Sequence, residues 1–133
     1  MTPDADGDDG PTADYVFSVR LRVEPRDSAV RLDPATFEAT LYRRAATPGE
    51  EGWLFFRDNL WRGGVNDEVH LRDSAEETLG VPVERIEFRE LRCSPDHFEA
   101  LKEEIRSDLE LFRADDASSV VNKYLGSSVH VVE

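Results

Sequence analysis

Three histidines and one cysteine carry the most versatile chemistry in this chain. His70, His97 and His130 lie far apart in the sequence, and Cys93 is the single thiol. Zinc sites need three or four protein ligands, so His70 and Asp73, three residues later, do not complete one. We therefore expect the histidines to lie on the surface and Cys93 to be an unreactive, reduced thiol. We also expect no metal and no other cofactor.

Motifs of common enzyme classes are missing from the sequence as well. Gly63-Gly64 lacks the flanking glycines and the following Lys-Ser/Thr of a phosphate-binding loop. No Gly-x-Ser-x-Gly nucleophile elbow occurs. The many carboxylates form no specific pair for acid–base catalysis. We predict no catalytic residues, which favours a non-enzymatic role, although the sequence leaves enzymatic activity open.

The most unusual part of the chain is an aromatic segment from Trp53 to Gly64. It holds both tryptophans and two of the seven phenylalanines. Trp and Arg dominate binding hot spots, and the two glycines after Arg62 permit a tight turn or the close approach of a partner. The alternative is a strand-to-helix connection in which Trp61 is buried and Arg62 pairs with a carboxylate such as Asp58. The predicted binding residues are Arg57, Asn59, Trp61, Arg62 and Gly63.

Arginines of the N-terminal half are candidates for a shared outer face of a sheet. They are Arg20, Arg22, Arg43, Arg44, Arg57 and Arg62. An open arginine face could bind an RNA backbone or an acidic protein. Phosphate contacts weaken steeply in concentrated salt, and no aromatic pattern of an RNA-recognition sheet is present. We therefore expect these arginines to pair across strands with Glu24, Glu38 and their neighbours.

Two segments of the chain carry a resemblance to a known family. Gly52-Trp53-Leu54-Phe55-Phe56-Arg57-Asp58-Asn59-Leu60-Trp61-Arg62-Gly63 and Lys123-Tyr124-Leu125-Gly126-Ser127-Ser128 are similar to the haloarchaeal LWR-salt family, small acidic proteins named for a Leu-Trp-Arg motif. The resemblance runs from about Tyr15 to the end of the chain. It implies a salt-adapted cytoplasmic protein and assigns no activity and no catalytic residue.

The charge of the chain also indicates adaptation to salt. Acids outnumber bases by 29 to 16, and the net charge is −13. Only Lys102 and Lys123 are lysines. At 1 M salt the Debye length is only about 3 Å, so most self-repulsion is screened. Residues 15–72 are electrically balanced, whereas residues 73–133 carry a net charge of −8. The alternative to salt adaptation is an ordinary acidic protein from a GC-rich genome, which would also favour Arg over Lys.

Alternating patterns predict most of the strands. Tyr15 to Glu24 alternates between apolar and polar residues, which is typical of a half-buried strand. A second strand is predicted from Phe37 to about Ala46, and a third from Trp53 to Arg57 should form a hairpin with it. Val83 to Arg92 is the fourth, with Leu91 out of phase where a bulge or the strand end would fall. Val129 to Val132 is the last.

Three helices are expected among these strands. The first starts near Asn66 and ends at Gly80. The second starts at Ser94-Pro95 and carries an apolar stripe to Phe112. The third starts at Asp115 or Asp116 and ends at Gly126. The order β-β-β-α-β-α-α-β predicts an α+β fold, with an antiparallel sheet of about five strands and two to three helices on one face. We expect residues 1–14 to form a disordered acidic tail and residues 15–133 a single domain.

Function is predicted from these features only in outline. No apolar run is long enough to cross a membrane and no signal-peptide pattern is present, so we expect a cytoplasmic protein that does not bind membranes. The leading hypothesis is a non-catalytic module that binds a protein partner or self-associates. An alternative is a small-molecule or nucleotide-binding protein with a pocket near Trp61 and Arg62. A weaker alternative is RNA association through the arginine face. It is the weaker one because we expect nucleic acid not to be the partner.

Overall fold

A four-stranded mixed sheet with helices on one side forms the body of the protein. The computed structural model describes residues 12–132. In chain order the elements are β1 (Ala13–Arg22), β2 (Thr36–Arg44), α1 (Phe55–Asn59), β3 (Leu60–Trp61), β4 (Gly64–Val65), α2 (Glu68–Leu79), β5 (Val83–Cys93), α3 (Pro95–Arg106), α4 (Leu109–Phe112), α5 (Ala117–Leu125) and β6 (Val129–Val131). The main sheet has the order β2-β1-β5-β6, and β3 and β4 form a separate two-stranded ribbon. The predicted α+β class is confirmed.

The sheet differs from the prediction in strand number and direction. Strand β1 runs antiparallel to both of its neighbours, β2 and β5, whereas β5 and β6 run parallel. The sheet is therefore mixed and has four strands, where we predicted five antiparallel ones. A parallel pair requires a crossover connection. Helices α3, α4 and α5 provide this crossover between β5 and β6.

The predicted third strand, from Trp53 to Arg57, is wrong. Residues Phe55–Asn59 form the short helix α1, and no hairpin with β2 is present. Phe56 is fully buried, and its ring stacks on Phe112 with centroids 5.9 Å apart. Phe55 packs against Tyr15 of β1 at 4.6 Å. The aromatic run therefore packs onto the sheet and the helices instead of extending the sheet.

Strand β1 confirms the predicted alternation and supplies one wall of the core. Tyr15, Phe17 and Val19 are buried in one cluster with the apolar residues of the helices. The strand begins at Ala13, where the amide of Ala45 donates to its carbonyl oxygen. The predicted tail of residues 1–14 thus overlaps β1 at Ala13 and Asp14, while residues 1–11 lie outside the described residues.

A bulge in β5 explains the phase change at Leu91. Val16 of β1 pairs with Glu90 and Phe17 pairs with Phe88, so Arg89 is an extra residue in β5. An extra residue shifts the two-residue period by one position. Phe88 and Leu91 both point into the core for this reason.

The helices begin at the predicted capping residues or one residue away. Asp67, not Asn66, caps α2 by accepting from the amide of His70, and Gly80 ends it with φ of 77°. Ser94 caps α3 and Asp116 caps α5. The predicted long second helix is interrupted after Arg106, and its apolar stripe continues into α4.

Candidate interaction surface

The Leu-Trp-Arg motif forms a tight two-stranded turn. Leu60 pairs with Val65 and Trp61 pairs with Gly64, which leaves Arg62 and Gly63 as the turn residues. Both have positive φ, 54° for Arg62 and 84° for Gly63. Two central residues with positive φ are the signature of a type I′ hairpin turn. A non-glycine residue in this conformation is uncommon, so the position of Arg62 is held by its surroundings.

The turn docks on the C-terminal end of α5. The amide of Arg62 donates to the carbonyl oxygen of Lys123 at 2.8 Å, and the amide of Gly63 donates to that of Tyr124 at 3.0 Å. The last carbonyls of a helix have no partner within the helix. The turn therefore satisfies two of these carbonyls of α5, and it is fixed in place by main-chain hydrogen bonds.

Two glycines allow this close approach of backbones. A Cβ atom on Gly63 would lie 3.2 Å from the carbonyl oxygen of Leu125. A Cβ atom on Gly126 would lie 3.2 Å from the carbonyl carbon and oxygen of Arg62. Gly126 also has φ of 60° and ψ of −137°, a region that is essentially restricted to glycine. The two family-like segments of the sequence are thus in direct backbone contact.

The Leu and Trp of the motif point in opposite directions. Leu60 is completely buried, whereas Trp61 is 44% exposed. The ring of Trp61 meets Tyr124 edge to face at 5.7 Å, and Tyr124 meets the buried Phe56 in the same way at 5.7 Å. Trp61 is therefore the outermost ring of an aromatic cluster that is anchored in the core. The expected alternative of a buried Trp61 is wrong.

Two cations flank this exposed ring. The guanidinium carbon of Arg62 lies 5.6 Å from the centre of the Trp61 ring, and Nζ of Lys123 lies 5.8 Å from it. Lys123 also donates from Nζ to the carbonyl oxygen of Phe112 at 3.3 Å. Neither cation has an ion pair among residues 12–132. We call Trp61, Arg62, Lys123 and Tyr124 the Trp61 platform.

Two of the predicted binding residues, Arg57 and Asn59, make hydrogen bonds away from the turn. Arg57 pairs with Asp58 at 3.1 Å, so Asp58 is not the partner of Arg62 that we considered. The side-chain amide of Asn59 donates to the carbonyl oxygen of Phe55, and the main-chain carbonyl oxygen of Asn59 accepts from the main-chain amide of Asn66. The structure brings Trp61, Arg62 and Gly63 together at the turn and leaves Arg57 and Asn59 in α1.

Sequence reasoning did not select two members of the platform, Lys123 and Tyr124. They lie in the second family-like segment, more than 60 positions from the motif. The one feature of the sequence that could have connected Lys123 and Tyr124 with the motif is that both segments resemble the same family. No periodicity connects a turn to a distant helix end.

Most of the candidate arginines on the sheet are paired with carboxylates. The pairs are Arg20–Glu38, Arg22–Glu84 and Arg44–Asp14. Arg43 instead lies over the ring of Phe55, with its guanidinium carbon 4.7 Å from the ring centre. The hydrogen bond that Arg20 donates to the carboxylate of Glu38 raises the pKa of Arg20. An open arginine patch, which RNA binding would require, is therefore not formed by these side chains.

The cysteine and one histidine are buried among apolar residues. Burial raises the pKa of Cys93 to about 11, which makes the thiol unreactive near neutral pH. His97 is only 3% exposed, and burial lowers its pKa. The expectation that His97 lies on the surface is wrong, because it shares one face of α3 with the buried Leu101 and Ile105. No cluster of three metal-ligating side chains occurs within residues 12–132.

A half-open cleft of about 520 Å³ lies beside α1. Its lining includes Arg43, Trp53, Phe55 and Asn59, and also the acidic Glu50, Glu51 and Asp58. Trp61 and Arg62 do not line this cleft. They are absent too from three further clefts, which lie at β4–α2, on the outer sheet face and between β2 and α2.

The fold is therefore a small α+β fold with a tight turn that is hydrogen-bonded to a helix end. This turn exposes an aromatic ring between two cations. A family model described as LWR-salt protein matches residues 11–133, and the chain belongs to this family. No curated protein and no solved structure matches the chain. No helix within residues 12–132 is long and apolar enough to cross a membrane.

Proposed function

We propose that the protein is a non-catalytic interaction module of a salt-rich cytoplasm and that it binds another protein through the Trp61 platform. The observation that carries this proposal is the 44% exposure of Trp61 in a turn held by main-chain hydrogen bonds. An ordered aromatic ring loses little conformational entropy on binding. Trp and Arg are also the residue types that contribute most to binding hot spots.

The chemistry of the platform suits a partner segment with an apolar side chain flanked by carboxylates. The face of Trp61 offers apolar area, and Arg62 and Lys123, which have no carboxylate partner among residues 12–132, can bind anions. In concentrated salt exposed ion pairs are screened, whereas apolar contacts keep their strength or gain it, depending on the ion. Trp61 would therefore supply most of the affinity, and the cations would orient the partner.

The net charge of −13 supports the same environment. A surface with this charge is best tolerated in molar salt, which screens most of its self-repulsion. Arg62 and Lys123 form a local exception on it. Lys123 is one of only two lysines, and it is placed at the platform. This contrast favours a specific contact with a carboxylate-bearing partner over a general adhesive surface.

Site-specific photo-crosslinking tests the proposal. A photo-reactive amino acid at exposed Ser127, next to Gly126, leaves the platform intact. In a lysate of the source cells kept in molar KCl, we expect a discrete protein to be crosslinked and to be lost in Trp61→Ser and Arg62→Ser variants. The same probe at Val69, which is 59% exposed on α2, is the control. Equal crosslinking from Val69, or crosslinking that Trp61→Ser leaves unchanged, contradicts the proposal.

The cleft beside α1 supports a second candidate, a small-molecule site. Trp53 and Phe55 offer two aromatic rings to a planar base, and Arg43 offers a cation to a phosphate. The carboxylates of Glu50, Glu51 and Asp58 favour a nucleotide whose phosphate charge is neutralised by a bound cation. A nucleotide panel should then raise the melting temperature, and Arg43→Ala should abolish the increase. No increase with any nucleotide in molar KCl would exclude this candidate.

A further inference from the structure

Strand β2 is a long edge strand with no partner on its outer side among residues 12–132. It has nine residues and pairs only with β1. The opposite edge of the sheet is the three-residue β6. Exposed edges are ready templates for pairing with another chain, and natural proteins usually keep them short or cover them. The length of β2 therefore needs an explanation.

The register fixes which main-chain groups of β2 point outward. Ala45 donates to Ala13 at one end of the ladder, and Val23 donates to Ala35 at the other. Hydrogen-bonded and non-hydrogen-bonded pairs alternate between these ends. The residues at odd positions consequently bond to β1. The main-chain amides and carbonyls that point away from β1 belong to Thr36, Glu38, Thr40, Tyr42 and Arg44.

The helix-facing side of β2 carries Phe37, Ala39 and Leu41 beside Arg43, and it is partly uncovered. A groove of about 150 Å³ separates it from α2. The apolar residues of the groove are Phe17, Leu41, Phe55, Leu71, Ala75, Leu79 and Ile86. Phe37 on β2 is 46% exposed, and Leu79 at the end of α2 is 38% exposed. An added strand beside β2 would extend this face and shield its rim.

We infer that the outer edge of β2 pairs with β2 of a second copy of this chain, antiparallel about a two-fold axis at Leu41. The occupant is argued from self-complementarity. In this register Glu38, which pairs with Arg20, lies opposite Arg44 of the second copy, which pairs with Asp14, so opposite charges meet twice across the axis and extend these ion pairs. On the helix-facing side, Arg43 lies opposite the small Ala39. Arg43 can then keep its position over Phe55.

The same register satisfies the outward main-chain groups. Glu38 and Arg44, and Thr40 and Tyr42, become hydrogen-bonded pairs across the axis. The two copies each carry a charge of −13, so they repel one another in dilute buffer. Molar salt shortens the Debye length to about 3 Å and removes most of this repulsion. The dimer is therefore a salt-dependent one.

The dimer leaves the proposed binding surface free. The turn that carries Trp61 docks at the end of α5, next to the start of β6. Strands β6 and β2 are the two opposite edges of the sheet. Two Trp61 platforms would thus lie at the far ends of a continuous sheet. Dimerisation does not depend on the proposed function, and each can fail without the other.

Cysteine crosslinking tests the register directly. In the non-hydrogen-bonded pair at the axis the two Cα atoms are about 4.5 Å apart, which a disulfide can span. We expect Leu41→Cys to form a covalent dimer on mild oxidation in molar KCl, with Cys93 protected by burial. In this register the two copies of Thr40 are diagonal neighbours across the axis, so Thr40→Cys should crosslink poorly. Val69 is exposed on α2, away from β2, and Val69→Cys should not crosslink.

Sedimentation velocity of the full chain tests the dimer without a cysteine. We expect the dimer mass in molar KCl and the monomer mass at low salt. Thr40→Pro removes one outward amide and leaves the β1 ladder intact, so it should give a folded monomer, whereas Thr40→Val should stay dimeric. A monomer at every salt concentration, or a dimer that Thr40→Pro leaves unchanged and Leu41→Cys does not crosslink, overturns the proposal.

Discussion

The main-chain amide of Arg62 donates to the carbonyl oxygen of Lys123 at 2.8 Å, which joins the Leu-Trp-Arg turn to the end of α5. This bond and its neighbour from Gly63 to Tyr124 hold the motif against the last turn of α5. The motif combines two roles in adjacent residues. Leu60 anchors the turn in the core, and Trp61 is presented to the exterior.

The backbone contact at Gly126 should be sensitive to a single added methyl group. Gly126→Ala combines backbone strain with overpacking against Arg62, each worth about 1–3 kcal/mol. Gly80→Ala is the matched control, because its φ of 77° is also positive but its Cβ meets open space. We expect Gly126→Ala to lower the free energy of unfolding by more than Gly80→Ala does. If denaturant titrations give the same loss in free energy of unfolding for both variants, the close contact between Gly126 and Arg62 adds nothing to the cost of the substitution.

Alanine substitutions should separate the two roles of the motif. Leu60→Ala removes a fully buried side chain and should cost about 2–5 kcal/mol of stability. Trp61→Ala removes a half-exposed ring and should cost about 1 kcal/mol or less. Denaturant unfolding in molar KCl measures both. A Trp61→Ala loss as large as that of Leu60→Ala would mean that Trp61 is mainly structural.

Acid should destabilise the protein through His97. Burial lowers the pKa of His97 in the folded chain, while in the unfolded chain it is about 6.5. The unfolded chain therefore binds more protons in this range, and stability falls as the pH drops below about 6.5 toward the folded pKa. Above about pH 6.5 the histidine is neutral in both states and the stability is fully present.

His97→Gln should flatten this pH dependence. The free energy of unfolding at about pH 5.5 and about pH 7.5 measures it, with His70→Gln on the exposed face of α2 as the control. If the free energy of unfolding of His97→Gln changes with pH as steeply as that of the unchanged protein, groups other than His97 cause the loss of stability in acid.

The prediction from the sequence was good where local patterns decide the structure. The alternation of β1, the glycine at the end of α2 and the Ser94-Pro95 start of α3 depend on neighbouring residues only. His97 could also have been placed, since it precedes Leu101 and Ile105 at intervals of four. Treating histidine as a surface residue by default concealed that spacing.

Contacts between distant segments account for what the sequence did not predict. A short apolar run such as Trp53–Arg57 fits a strand or a buried helix equally well, and packing against Tyr15 and Phe112 decides for α1. The parallel placement of β6 depends on the whole crossover after β5. The exposure of Trp61 depends on the meeting of Gly63 and Gly126, for which no local pattern exists.

The fold should depend on salt because the acidic residues repel one another. With a net charge of −13, lowering the salt from molar to millimolar concentration lengthens the Debye length and strengthens self-repulsion. We expect the thermal unfolding midpoint, followed by circular dichroism, to rise with KCl concentration. A cooperative melt at the same temperature without salt would contradict salt adaptation.

The exposure of Trp61 is the feature on which the proposed binding surface rests, and acrylamide quenching of fluorescence measures it most directly. A Trp53→Phe variant leaves Trp61 as the only tryptophan, and a Trp61→Phe variant leaves Trp53, which packs against Phe56 and Phe112. In molar KCl we predict strong quenching of Trp61 in the folded protein and weaker quenching of Trp53, which is partly buried at the side of the cleft beside α1. Trp61 fluorescence as well shielded as that of Trp53 would contradict the presence of an exposed platform.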